Sequence, residues 1–178
     1  MKNYKYKNRG MYLENIINDS NTFYLNQDKC IIFKKPTPIK VLEVSYPSRK
    51  STVINKAVFE HISTLDYNGV YKGKYIEFDA KETKSTTSFP LSNIQNHQIN
   101  HIRNVLKHKG IIFLIIYMNS MFYLLDGKLL IDFIDKNERK SIPYDYLKEN
   151  AKIIKEKYMP RLDYLEAINE LYFEGEDV

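Results

Sequence analysis

A chain of 178 residues, 43% hydrophobic and 28% charged, is long enough to bury its own core and too mixed to be disordered or membranous. Its longest apolar run, Ile111 to Met118, is far too short to cross a bilayer, and the lysine-rich start Met1 to Lys7 lacks the apolar segment of a secretory signal; one cytoplasmic domain over residues 1–178, without membrane contact, is expected. The single cysteine, Cys30, excludes an internal disulfide and a cysteine-based zinc site, while a net charge of +5 invites a polyanionic partner.

Charge is unevenly spread. Lys2, Lys5, Lys7 and Arg9 precede any acid, and the span from Lys34 to Lys56 carries Lys34, Lys35, Lys40, Arg49, Lys50 and Lys56 against Glu43 alone. Acids gather instead at the end, in Glu174-Gly175-Glu176-Asp177. In chain order, Met11, Leu13, Ile16, Ile17, Phe23 and Tyr24 predict an amphipathic helix ending near Leu25, with Glu14 on the flank of its apolar stripe. Glu14 reads as a solvated helix acid, with a contribution to a metal site as the lesser alternative. Cys30 to Phe33 has the length and composition of a strand.

Two prolines in Lys34-Lys35-Pro36-Thr37-Pro38-Ile39 then impose an extended path. Val41, Val44 and Tyr46 predict a brief strand, Ser48 to Thr52 a basic loop, and Val53 to Ile62 a segment of mixed character. An interposed, basic stretch at about 34–63 is long for a connection. It suits an arm for a nucleic-acid backbone; the plainer reading is a solvated excursion.

Thr64 to Lys81 is where chemistry is expected. Lys72-Gly73 is a turn dipeptide between two β-rich runs, so a hairpin folds Asp66 back towards Asp79. Alternation puts Tyr75, Glu77, Asp79 and Lys81 on one face, read as wet and charged, and Ile76, Phe78 and Ala80 on the packed one. Two carboxylates on adjacent strands can hold Mg²⁺ through oxygen ligands, and Lys81 can stabilise charge developing on a phosphate. On the triplet alone, a half-exposed strand with a solvated salt bridge is the favoured reading.

Beyond a polar loop, Ser92 or Asn93 is expected to cap a helix running to Lys107, with Gly110 past its end. Gln98 falls in the inward stripe of that helix, where its amide needs a partner. His97 and His101 have the i, i+4 spacing of a zinc pair but no third ligand in register. Ile111 to Met118 predicts a central strand, Met121 to Leu125 its hairpin neighbour, and 128–133, 144–156 and 162–173 helices.

Asn8-Arg9-Gly10-Met11, Leu13-Glu14, Lys34 to Ile39, Asp66 to Gly73, Ala80 to Thr83, Phe89-Pro90-Leu91 and His97-Gln98-Ile99 together, in order over nearly the whole chain, closely resemble the RecU family of bacterial Holliday junction resolvases. The resemblance implies a restriction-endonuclease-like α/β fold, a mixed sheet flanked by helices with a protruding basic stalk. It also implies a homodimer and Mg²⁺-dependent, paired, symmetric nicking of four-way DNA junctions in recombination and repair, with Mn²⁺ as a substitute ion and the RecA recombinase as a further partner. The family's metal positions fall on Thr64, Asp66, Asp79 and Gln98, its transition-state lysine on Lys81, and its DNA contacts on Arg9, Lys34, Lys35, Lys40, Arg49 and Lys50. The sequence departs from the family pattern at Asp79, where Glu is usual, and at Leu65, where Thr is common; a basic N-terminal extension is expected to be reduced. The rival expectations are a restriction-type endonuclease on duplex DNA and a DNA-binding accessory that has lost catalysis.

Overall fold

The computed structural model describes residues 9–48, 51–60 and 64–174, with side chains from Met11 onward. Arg49, Lys50, Ile62, the first eight residues, the side chain of Arg9 and the acids at 176 and 177 lie outside the described residues.

A six-stranded mixed sheet has the order β1 (Ile31–Lys34), β4 (Tyr67–Tyr71), β5 (Lys74–Glu82), β7 (Ile111–Met118), β8 (Met121–Asp126), β10 (Lys152–Ile154). The β4–β5 hairpin turns on Lys72 and Gly73, at φ 47° and 72°. Left-handed geometry at both turn residues matches the twist of the strands. β5 and β7 run parallel, which requires a crossover, supplied by helix α2 (Asn96–Lys107). β7 is buried on both faces, as a continuous apolar run requires. Phe113 and Ile115 pack under α1 (Arg9–Asn26) and α5 (Tyr164–Tyr172), whereas Ile112, Leu114 and Ile116 pack under α2, α3 (Gly127–Lys136) and α4 (Tyr144–Asn150). The fold class is therefore the expected one, a mixed α/β sheet with helices on both faces.

Three local expectations are corrected. The helix at 144–156 stops at Asn150, whose side-chain amide donates to the Tyr146 carbonyl at 2.9 Å. The chain then extends as β10 and completes the sheet edge against β8, with Ile154 buried and Ile153 exposed. α2 is capped by Gln95 rather than Ser92 or Asn93, because Leu91–Asn93 forms a separate 3₁₀ turn. The interposed stretch is more regular than expected: the brief strand is the longer β2 (Ile39–Ser48), and the segment of mixed character is its antiparallel partner β3 (Ser51–Phe59), with bulges in the ladder, while Arg49 and Lys50 of the expected basic loop lie outside the described residues. Almost all of its described residues are exposed, and Pro47 is tolerated because neither strand has a second neighbour. A short pair, β6 (Ser88–Pro90) with β9 (Ser141–Pro143), pins the loop after β5.

Gly69 sits where β1 crosses closest to β4: a Cβ there would lie 1.9 Å from the Ile31 carbonyl oxygen and 2.6 Å from the Ile32 Cα. Backbone cannot yield as a flexible side chain does. Gly69→Ala is expected to cost on the order of 1–3 kcal/mol, read as a lowered urea midpoint; an unchanged midpoint would contradict this packing of the edge strand.

Candidate active site

The β4–β5 register pairs Tyr67 with Phe78, so one residue further on Asp66 stands opposite Asp79. Their carboxyl groups are close enough for the charge of one to bear on the other. Asp79 is fully buried. Its Oδ1 accepts from the Ala80 N–H at 2.8 Å, and its Oδ2 accepts from Gln98 Nε2 at 2.7 Å and pairs with Lys81 Nζ at 2.8 Å. Burial, then the charge of Asp79, pushes the pKa of Asp66 up, against the pull of Lys81 and Lys34. Two acids and one lysine thus meet at one end of the sheet, with more negative charge than their neighbours neutralise.

Gln98 is oriented by its helix. As the third residue of α2 it closes a capping box with Gln95: its Oε1 accepts from the Gln95 N–H at 3.1 Å and lies 3.5 Å from Lys81 Nζ, which turns its amide nitrogen to Asp79. Thr64 lines the same cleft, together with Glu60, Asp66, Lys81, Gln95, His97 and Gln98. Of the ligand positions expected from sequence, Thr64, Asp66 and Gln98 line this cleft, while Asp79 is fully buried and bonded to the lining residues Gln98 and Lys81. The carboxylate and hydroxyl oxygens of these positions suit a hard cation such as Mg²⁺, while the Gln98 oxygen is engaged by the Gln95 N–H and its nitrogen faces Asp79. Among the described residues no three His, Cys, Asp or Glu side chains cluster to hold a metal. Asp66 and Asp79 need oxygens from Thr64, Gln98, water or substrate to complete a shell, which is how Mg²⁺ is commonly bound.

The face read as wet is not wet. Glu77 and Asp79 are both fully buried, because α2 lies over that side of β5. Glu77 accepts from Lys35 Nζ, from the Leu65 N–H at 3.1 Å and from the Tyr75 hydroxyl at 2.9 Å, and His101 Nε2 lies 2.7 Å away. Burial pushes its pKa up, but the hydrogen bonds from Lys35 and His101 outweigh that and leave it below the usual carboxylate range. Sequence reasoning missed this hub. The signal was present: Gln98 and His101 are polar residues on the inward flank of a helix, and such groups need polar partners below them.

The neighbouring basic side chains are mostly paired. Lys35 is ion-paired with Glu77, so contact with a DNA backbone competes with that pairing. His101 faces the same carboxylate while His97 is exposed at the cleft rim. Lys34 pairs with Glu14 at 2.5 Å, which makes Glu14 a half-buried partner rather than a solvated acid. Lys40 is exposed on β2. Leu65 is fully buried against the apolar cluster that contains Phe89 and Ile94, which accounts for an apolar residue between Thr64 and Asp66.

Paired acids with a lysine two residues beyond the second, on an antiparallel hairpin that leads through a helix into a parallel strand, give this α/β protein the donor set of a divalent-cation site. The chain belongs to the Recombination protein U (RecU) family, whose sequence profile matches residues 8–170. It is 48% identical over 176 residues to the Holliday junction resolvase RecU of Oceanobacillus iheyensis, covering 96% of this chain and 90% of that one. Identity to the protein of the same description from Bacillus subtilis strain 168 is 48% over 171 residues, covering 94% and 83%. A solved structure of Archaeoglobus fulgidus Hjc, a Holliday junction resolvase, has a TM-score of 0.46 at 7% identity, covering 79% of this chain and 93% of that one, a distant likeness only.

The crowding of Asp66 against Asp79 has a measurable consequence. A carboxyl whose pKa rises on folding disfavours the native state when ionised, so at neutral pH without metal Asp66→Asn is expected to melt a few degrees above the parent. The gap should close as pH falls through the raised pKa of Asp66, or when Mg²⁺ saturates the parent. Equal melting at neutral pH would contradict the repulsion.

Proposed function

We propose that this chain is a Mg²⁺-dependent endonuclease that resolves Holliday junctions by paired symmetric nicks, acting as a homodimer in the cytoplasm during recombination and repair. The observation that carries this reading is that buried Asp79, paired with Lys81, stands opposite Asp66 across the hairpin, at the cleft that Asp66 and Lys81 line, in a chain of the RecU family whose relatives are described as Holliday junction resolvases. Asp66 and Asp79 would hold the ion, with Thr64 and Gln98 completing the shell in part through water. The chemistry supplied by bound Mg²⁺ is polarisation of the phosphodiester and a lowered pKa for the attacking water; Mn²⁺ is an acceptable substitute.

The chain's own residues do the rest. The Ala80 N–H and Gln98 amide fix both oxygens of Asp79, so that carboxylate is preorganised before substrate arrives. Lys81, tethered to Asp79 and only partly exposed, is placed to donate to a phosphate oxygen as charge builds on phosphorus. α2 closes the cleft from beneath and keeps water from Glu77 and Asp79. Lys40, with Arg9, Lys34, Arg49 and Lys50, is assigned to the DNA backbone, and the β2–β3 hairpin to an arm entering the junction centre; such contacts weaken steeply with salt.

Dimerisation has support in the same hairpin. Val41, Leu42, Val44, Val53 and Ile54 are each exposed to between 38% and 49% on a two-stranded ribbon, and an isolated ribbon of that kind is marginal in water. A second copy would cover those side chains and bring the second cleft that two cuts require. Contact with the RecA recombinase is retained from the family likeness.

The reading is tested by offering the purified protein a mobile four-way junction and a linear duplex in Mg²⁺. Paired nicking confined to the junction is expected, with Asp66→Asn and Lys81→Ala each slower by about 10²-fold or more. Equal cutting of duplex would favour a restriction-type enzyme. Variants as active as the parent would overturn the residue roles, and a parent inert in every divalent metal would favour a non-catalytic accessory.

A further inference from the structure

Glu77 has no role in the chemistry proposed above: it is fully buried, and its oxygens are engaged by Lys35, the Leu65 N–H, Tyr75 and His101. Its partners nevertheless come from every element that builds the cleft. Lys35 stands where the chain leaves β1 for the arm and is held twice, its backbone N–H donating to the Asp66 carbonyl at 2.7 Å and its ammonium to Glu77. The root of the arm is closed by the Glu60 N–H, which donates to the Pro38 carbonyl at 3.0 Å. A few residues beyond Glu60 come Thr64 and Leu65, and the Leu65 N–H donates to Glu77. The segment that leads into the arm, the segment that leaves it and α2, through His101, are therefore all fastened to one carboxylate two residues before Asp79.

We propose that Glu77 is a positioning residue that couples the β2–β3 arm to the cleft: through Lys35 and the Leu65 N–H it sets where Thr64 and Asp66 stand relative to Asp79, so that seating the arm on DNA is felt at the cleft. This rests on the proposed reading of Asp66, Asp79 and Lys81 as the nuclease site. The choice of residue supports it. A buried carboxylate is costly to desolvate, and an apolar side chain of similar size would fill the space at least as well. An acid at this position gathers three side-chain donors and one backbone amide from four separate segments, which no apolar residue can do. Displacements of about 1 Å at groups remote from the reacting atoms are enough to slow catalysis about 10²-fold. On this account, discrimination between a junction and a plain duplex is made partly at the chemical step, because a seated arm reinforces the hold of Glu77 on Lys35 and Leu65 that the DNA-free structure already shows.

The test compares the full-length parent with Lys35→Met, Lys35→Arg, Glu77→Gln and the Lys35→Met/Glu77→Gln double variant. Four quantities are read: melting temperature, junction affinity without metal, cleavage rate at saturating enzyme in Mg²⁺, and binding of Mn²⁺ alone without DNA. For Lys35→Met and Glu77→Gln, junction affinity should stay within about threefold while the saturating rate falls roughly tenfold or more, with weaker Mn²⁺ binding. The double variant should lose no more than the worse single one, and Lys35→Arg should recover most of the rate. A loss confined to junction affinity would make Lys35 a DNA contact and overturn the proposal, as would additive losses or an unchanged rate and Mn²⁺ affinity. Should Glu77→Gln fail to fold, Lys35→Met, altered at a partly exposed position, decides the question alone. A parent that does not cleave counts against the nuclease reading, whereas an active parent with unaffected variants counts against the coupling only.

Discussion

Two carboxylates buried side by side on one strand govern the arrangement of this molecule. Glu77 and Asp79 point from β5 towards α2 with no exposed surface. Each ionised group shut away from water has to be met by donors, since an unpaired buried charge is among the most destabilising features a fold can carry. The donors are distributed so that meeting this requirement fixes the surrounding elements: Gln98 and His101 from α2, Lys81 from β5 itself, Lys35 from the root of the arm, and the Leu65 N–H from the segment before β4. Satisfying the charges and assembling the cleft are one physical event.

Asp79 illustrates how little slack remains. Its side chain is one methylene shorter than glutamate, yet both of its oxygens are occupied, at 2.7 to 2.8 Å, by Ala80, Gln98 and Lys81. What draws those groups in is a helix N-terminus whose capping box turns the Gln98 amide towards the carboxylate. Asp66 is the member left underprovided: it faces Asp79 across the hairpin, and its proton affinity rises in consequence. A cation between them would relieve that repulsion, so the two acids would tend towards a preformed site rather than one assembled on binding.

The scaffold was largely legible in the amino-acid order. The apolar run of β7, the Lys72-Gly73 turn and the Asn119-Ser120 turn, where both residues have positive φ, each leave the chain one practical conformation. Alternation along β5 correctly separated its two faces but was silent on what covers each, and a face bearing Glu77 and Asp79 was assigned to solvent. Only the pairing of that face with the polar flank of α2 resolves this, and such pairing is a tertiary fact. The arm was only partly legible for a related reason. Its bulges between Val41 and Val44 break the alternation, and without a buried face there is no apolar rhythm to follow. β10 was hidden in a helical-looking segment because three residues are too few to announce a strand before β8 is there to receive them.

The central claim, that Asp66 and Asp79 share one divalent ion, is tested most directly by diffraction from crystals grown with Mn²⁺, using the anomalous signal at the metal edge. The account predicts a peak between the two carboxylates, within ligand distance of an oxygen of each. A fully occupied peak elsewhere, or none at this position in crystals of protein that cleaves in the same Mn²⁺ solution, would contradict it.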